Sequence, residues 1–193
     1  MQLRSNQSFT DRQMLSYELQ IQARDELTEQ ANSLTEIVTI DGRERRSVAW
    51  ILDEGFTGIY RIHARYKLKR VDVVRVARVA GEDAGLVMIQ RLEPDIGYVY
   101  YIAVARKNRH HGIGGTLLDD AIKMMKEEGM REVYAVRDEG NIGSQKLFES
   151  RQFETLEMND FSERFGRRKA MSLKRRMTLV SGEVLLRRGL LIA

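Results

Sequence analysis

The sequence predicts a mixed α/β domain, and three observations carry that reading. From Phe56 to Lys67 and from Val71 to Val79, apolar residues alternate with charged ones, the two-residue period of half-exposed antiparallel strands. The run Tyr98–Val104 is β-branched and aromatic throughout, which suits a strand buried on both faces. A glycine loop then opens a helical stripe of Leu117, Leu118, Ala121, Ile122 and Met125, and a further strand and helix follow.

At 193 residues the chain is long enough for one domain that buries roughly two-thirds of its unfolded surface. Hydrophobic residues make up 42% and charged residues 31%, ordinary for a globular protein. The absence of cysteine excludes a disulfide framework, a thiolate metal site and a cysteine nucleophile. With three histidines, two of them adjacent, no metal site is expected. No apolar run approaches the roughly 18 residues of a membrane span, and no signal-peptide pattern opens the chain, so a cytoplasmic protein is expected. Charge is uneven: residues 11–36 are acidic, whereas 61–78 and 163–188 are rich in Lys and Arg. Solvated faces and a phosphate-binding cleft account for this pattern, and no aromatic-interleaved RNA motif or helix-turn-helix points to nucleic acid.

Taken in order, Met1–Arg4 reads as a short strand. Thr10 or Asp11 then caps a helix whose stripe is Leu15, Leu19, Ala23, Leu27 and Ala31. Ile37–Ile40 is a strand ending at the hairpin-type turn Asp41-Gly42. Ser47–Asp53, with Trp50, fits a strand or a short helix equally. After the two alternating segments, Gly81–Gly85 turns the chain into a strand over Leu86–Gln90, and Glu93–Gly97 turns it into Tyr98–Val104. Gly129 stops the helix that follows, and Glu132–Val136 is the next strand. Thr155–Met158 and Lys169–Arg175 read as two closing strands. A tail from Met177 places Val184, Leu185, Leu186, Leu190, Leu191 and Ile192 around Arg187-Arg188, which suggests a final helix packed on the body or on a second copy.

The chemistry concentrates at the glycine loop. Gly112, Gly114 and Gly115 allow a tight turn and close approach of a ligand, and the helix behind them offers unpaired amides and a positive dipole end. Arg106, Lys107, Arg109, His110 and His111 add positive charge at the same mouth, so the loop suits phosphate. A Gly-x4-Gly-Lys-Ser/Thr pattern is absent, and Leu117 stands where a dinucleotide fingerprint needs its third glycine. What remains is Val104 followed by Arg109-x-x-Gly112-x-Gly114. Downstream by 32 residues from Arg109 comes Asn141-x-x-Ser144-x-x-Leu147-Phe148, then Arg151-Gln152-Phe153.

Together these resemble the two motifs of the GCN5-related N-acetyltransferases. The resemblance covers about residues 71–176. It implies one domain over 1–176, with a divergent part at 1–70 and an apolar, basic tail at 177–193. The fold implied is a central mixed, mostly antiparallel sheet flanked by helices. The ligand implied is acetyl-CoA as acyl donor. Its pantetheine arm would bond the backbone of Ile102 and Val104. Its pyrophosphate would take the amides from Arg109 and His110 through His111, Gly112, Ile113, Gly114 and Gly115 to Thr116, helped by the Arg109 charge. Asn141 would bond pantetheine or cap its helix, and Ser144 replaces the usual alanine. Phe148 stands where many relatives carry a proton-donating tyrosine, and Gln152 where they carry glycine.

Some relatives place a glutamate at the position of Tyr98. Here Tyr98 is the candidate for lining the acceptor site, with Asp95 or Glu93 as the carboxylate; a core aromatic and a turn residue are the competing roles. The implied activity is transfer of an acetyl group to an amine of a small molecule, peptide or protein by direct attack. The alternative is a non-catalytic member of the same fold that has lost the tyrosine and assembles with itself or a partner through its amino-terminal part or its tail.

Overall fold

The computed structural model describes residues 35–190 together with Met14, Gln20 and Gln22. The expected strand at Met1–Arg4, the amphipathic stripe Leu15–Ala31, and Leu191 and Ile192 of the tail lie outside the described residues.

Seven strands form one sheet: β1 (Thr35–Thr39), β2 (Val73–Val79), β3 (Glu82–Glu93), β4 (Ile96–Val104), β5 (Glu132–Asp138), β6 (Glu154–Thr155) and β7 (Glu183–Gly189), in the spatial order β1-β2-β3-β4-β5-β7-β6. Every neighbouring pair is antiparallel except β4 and β5. The parallel pair needs a crossover, and α4 (Ile113–Glu127) supplies it. The fold class is therefore the expected one: a mixed, mostly antiparallel sheet between helices.

Each face of the sheet has its own core. On one face the alternate residues Val74, Val76, Leu86, Met88, Tyr98 and Tyr100 pack against four helices. These are α2 (Ala49–Gly55), with Ile51 and Leu52; α3 (Gly58–Leu68), with Ala64 and Leu68; α6 (Met158–Phe165), with Phe161; and α7 (Arg167–Met177), with Ala170, Leu173 and Met177. A single-turn helix, α1 (Glu44–Ser47), precedes them. On the other face Val87, Ile89, Val99, Val133 and Ala135 meet Leu117, Leu118, Ala121 and Met125 of α4, and Phe148 of α5 (Ile142–Glu149). The stripe read from the sequence is this buried face of α4, which ends at Gly129, where φ is +81°.

Three expectations are corrected. Gly58–Leu68 is a helix rather than a strand, because its buried and half-buried residues Tyr60, His63, Ala64, Lys67 and Leu68 recur at helical spacing. Lys169–Arg175 belongs to helix α7, whose Ala170, Leu173 and Met177 face the core. The tail holds no final helix within its described residues. Glu183–Gly189 pairs along its whole length with β5, register Glu132↔Gly189 to Asp138↔Glu183, and lies inside the sheet. Of the open alternatives at Ser47–Asp53, the helical one is realised, in α2.

Two irregularities of β4 create the functional region. Pairing of β4 with β5 runs from Ile96↔Glu132 to Val99↔Ala135 and goes no further. Tyr100–Val104 and Val136–Asp138 therefore diverge and leave main-chain groups unpaired between them. Opposite β3, the register passes from Met88↔Tyr101 to Ile89↔Val99, so Tyr100 is an extra residue in a bulge. The bulge turns both Tyr100 and Tyr101 toward the α2–α3 face, where simple alternation would put them on opposite sides.

Candidate active site

A cleft of about 820 Å³ runs through the gap between β4 and β5 and opens on both faces of the sheet. On the α4–α5 face it is lined by Ile102, Val104, Arg109, His110, Gly114, Asn141, Ser144, Leu147 and Phe148. These residues come from both sequence motifs, so the fold brings the two together.

The glycine loop is shaped as its sequence suggests. Gly112 caps α4 with φ +78°, a left-handed conformation that glycine adopts without strain, and His110 also has positive φ, +67°. The amides of Ile113 and Gly114 open the helix ahead of its first intrahelical bonds, while Gly115 N and Thr116 N donate back to Gly112 O at 2.8 and 3.1 Å. An anion at this end would meet amides and the positive pole of a 15-residue helix.

Not every loop residue faces the cleft. Ile113 is buried in the core, and Gly115 looks the other way. A Cβ on Gly115 would collide with Arg151 Nη2, so the glycine makes room for Arg151, which is anchored bidentately on Asp119 at 3.0 and 3.1 Å. The pair locks the end of α5 onto α4. His111, Gly112 and Thr116 stand behind the rim. Arg109 does reach the cleft, but its Nε donates to Val104 O at 3.1 Å and its Nη2 to Glu54 O at 2.9 Å. The guanidinium ties the end of β4 to α2, and its charge remains at the mouth.

In the second motif Asn141 is the amino-terminal cap of α5: its Oδ1 accepts from Ser144 N at 2.9 Å. Phe148 is buried against Phe153, with ring centroids 5.0 Å apart and edge to face. It presents an apolar wall to the cleft where a hydroxyl was expected in the resembled family.

On the opposite face the cleft is aromatic and acidic. Its wall includes Phe56, Tyr60, His63, Tyr98, Tyr100, Tyr101, Thr178 and Glu183. Tyr98 is fully buried and its hydroxyl donates to Met177 O at 3.1 Å. Burial pushes that phenol well above its ordinary range, so it stays neutral and holds α7 to the sheet. Tyr100 likewise donates to Arg176 O at 2.8 Å and meets the Thr178 hydroxyl at 2.6 Å. His63 Nδ1 lies 2.8 Å from Tyr101 Oη. Burial, then the charge of Lys67, lowers the His63 pKa, so its imidazole is neutral at pH 7.

Glu93 and Asp95 stand at the far end of β4, away from the cleft. Glu93 lies 3.6 Å from Arg176 and 3.7 Å from Lys169, and Asp95 occupies the exposed β3–β4 turn, its carbonyl accepting from Arg131 N and Glu132 N. Strand direction explains the separation: only residues toward the carboxyl end of β4 reach the gap. The carboxylates that do line the cleft are Asp138, at the end of β5, and Glu183, its register partner on β7. Glu183 Oε2 accepts from Val180 N at 2.9 Å, and the Tyr60 hydroxyl interacts with the same carboxylate. Burial and the nearby Asp138 charge raise the Glu183 pKa, against the opposing pull of these hydrogen bonds. Tyr60 and His63 were legible only with α3 read as a helix, where they share a face. Glu183 has no local signal, because it lies 42 residues beyond Asn141 in a segment read as a tail.

Comparison with known proteins bears on the fold and the family. The model of the acetyltransferase (GNAT) family matches residues 58–153. No curated protein matches the sequence significantly. Among solved structures, the IAA acetyltransferase of Bacillus cereus ATCC 14579 superposes with a TM-score of 0.60 at 17% identity, covering 81% of this chain and 99% of that one. The ribosomal-protein-S18-alanine N-acetyltransferase of Escherichia coli gives 0.60 at 16% identity, covering 82% and 96%. A Bacillus subtilis acetyltransferase in complex with CoA gives 0.61 at 18% identity, covering 81% and 99%. At these identities the likeness is one of fold. The family match runs from the start of α3 to Phe153 and takes in the glycine loop and the second motif, whereas Phe56, Thr178 and Glu183 of the opposite wall lie outside it. Over residues 58–153 the chain carries an acetyltransferase (GNAT) family domain.

Proposed function

We propose that the chain is an acyl-CoA-dependent N-acyltransferase that moves an acetyl group from acetyl-CoA to an amine by direct attack. The observation that carries this reading is the gap between β4 and β5, which starts beside the glycine loop and passes through the sheet. On the gap side of β4 the main-chain groups of Ile102 and the amide of Val104 suit the amide-bearing pantetheine arm, while Val104 O accepts from Arg109. The amides of Ile113 and Gly114 suit a pyrophosphate. The neighbouring fold in complex with CoA supports the same donor.

An amine on the α3 side would attack the thioester carbonyl, so that the new C–N bond forms as the C–S bond breaks. No covalent enzyme intermediate is needed. Phe148 has no proton to give to the departing thiolate, but a thiol with a pKa near ~8.5 leaves tolerably as the anion. Loss of a positioned acid therefore costs rate without closing the route.

The test is acetyl-CoA binding by calorimetry and thermal shift, with ATP as comparator. Ligand at about 100 times Kd should stabilise by roughly 2.7 kcal/mol, a rise of about 5–10 °C for a domain of this size. In Gly114→Val the new side chain starts from a Cβ with ordinary contacts, 3.7 Å to Val104 Cγ2 and 3.8 Å to Leu147 Cδ2, and extends into the cleft. That variant should keep the unliganded melting temperature within a few degrees and lose at least about tenfold in affinity. The buried Phe148 ring favours one second reading, a fold that binds acyl-CoA without turning it over. Tight binding with no amine-dependent release of CoA thiol would select it.

A further inference from the structure

We infer that Glu183 is the proton acceptor for the attacking amine, and that the α3 end of the cleft selects a cationic primary amine carrying no carboxylate. This inference rests on the transferase reading above.

The geometry sets Glu183 apart from every other carboxylate near the gap. It begins β7 opposite Asp138, so it sits where β4 and β5 have diverged. Its carboxylate is held in place by Val180 N at 2.9 Å and by the Tyr60 hydroxyl, and it faces the cleft. Burial and Asp138 make it a better base than an exposed glutamate. The bound ammonium first gives one proton to solvent, the neutral amine then attacks the carbonyl carbon, and the positive, strongly acidic nitrogen so formed passes its second proton to Glu183. The C–N bond forms, the C–S bond breaks, and the electron pair of the latter leaves with the CoA thiolate.

The same groups define the acceptor. Glu183 and Asp138 attract an ammonium ion, and Phe56, Tyr60 and Tyr101 offer ring surface for its apolar body. The cations at this end are already engaged. Lys67 Nζ sits 4.4 Å over the Tyr100 ring, and Arg137 Nη1 donates to the carbonyls of Asp138 and Glu139 at 3.2 and 3.0 Å. Among the described residues lining this end, a carboxylate on the acceptor would therefore meet two like charges and no uncommitted Lys or Arg.

The experiment follows release of CoA thiol from acetyl-CoA with 2-phenylethylamine and with phenylalanine, two probes that differ by one carboxylate. Wild type, Glu183→Gln and Glu183→Asp are compared, and acetyl-CoA affinity is measured for each. Wild type should favour 2-phenylethylamine at least about tenfold in kcat/KM. Glu183→Gln should bind acetyl-CoA as wild type does and lose about 10²-fold or more in kcat, and Glu183→Asp should recover part of that loss. Turnover within a few-fold of wild type in Glu183→Gln would overturn the role of Glu183 and leave the transferase reading standing. A preference for phenylalanine, or no turnover of either amine by a wild type that binds acetyl-CoA, would overturn the acceptor class. Failure of wild type to bind acetyl-CoA would overturn the transferase reading, and this inference with it.

Discussion

Gln152 holds the left-handed conformation, φ +60°, at the turn between α5 and β6. A side chain with a Cβ costs about 1–2 kcal/mol there, because Cβ crowds the carbonyl oxygen. The turn persists because its neighbours over-determine it: Gln152 N donates to Glu149 O at 3.0 Å and Phe153 N to Phe148 O at 3.1 Å. The second keeps Phe153 packed on Phe148 in the cleft wall. Gln152→Gly should raise stability by up to about 1 kcal/mol, the strain relieved less the added freedom of the unfolded chain, in urea unfolding at unchanged m-value. An unchanged or lowered midpoint would show that the turn is not strained. This position was legible in the sequence, because glycine is the residue expected there. Asn141 was legible for a similar reason: a side-chain oxygen three residues before an amide is a cap. The residues of the aromatic, acidic wall were not, since nothing local connects Tyr60, His63 and Glu183 before the sheet forms.

Elements are joined across the core by one buried carboxylate. Glu132, 8% exposed at the start of β5, accepts from Arg187 of β7 at 2.6 and 3.1 Å, from Tyr134 Oη at 2.8 Å, and from Arg164 of α6. Burial disfavours its charge, but the two arginines and the phenol outweigh that and hold the pKa below the usual glutamate value. Glu132→Gln removes the partner of two guanidinium groups. The expected loss is about 1–3 kcal/mol, below the value for a fully buried pair because the Arg164 side chain is 45% exposed and reaches water. A group whose folded pKa is depressed contributes stability that is present above the unfolded value and lost as pH falls through the folded one. Wild-type stability should therefore fall on acidification below about pH 4.5, and the Glu132 share of that slope should be missing in Glu132→Gln. Denaturant midpoints at pH 3.5, 4.5 and 7 measure both. At this scale the sequence was legible where one period dominated, as in α4. It misled in α3, because exposed Ile59, Ile62 and Tyr66 surround the buried stripe with apolar residues and blur it. It misled again at Val184–Leu186, an unbroken apolar run that a buried strand and a buried helix share.

For the whole molecule the decisive element is the last strand. β7 fills the space between β5 and β6, pairing all seven residues of β5 and both of β6. Its Leu185 and Leu186 are each 3% exposed and face opposite cores, and Leu190 beyond it is 8% exposed. Leu156 N also donates to Leu185 O at 2.9 Å, which holds the entry to α6. Deleting residues 183–193 would strip β5 of one neighbour, leave Glu132 without Arg187 and open both cores at once. Each buried leucine alone is worth about 2–5 kcal/mol when truncated to alanine. Their sum with the lost ladder exceeds the roughly 5–15 kcal/mol that holds a domain of this size. The chain ending at Gly182 should therefore show no cooperative melt in circular dichroism, whereas Leu186→Ala should melt cooperatively at a lower temperature. A cooperative transition in the shortened chain would mean that the segment is an appendage and that β5 is stable as an edge. The same deletion removes Glu183, so one strand both completes the sheet and carries the proposed base: on the transferase reading, the proposed acceptor site closes only when the last strand is in place.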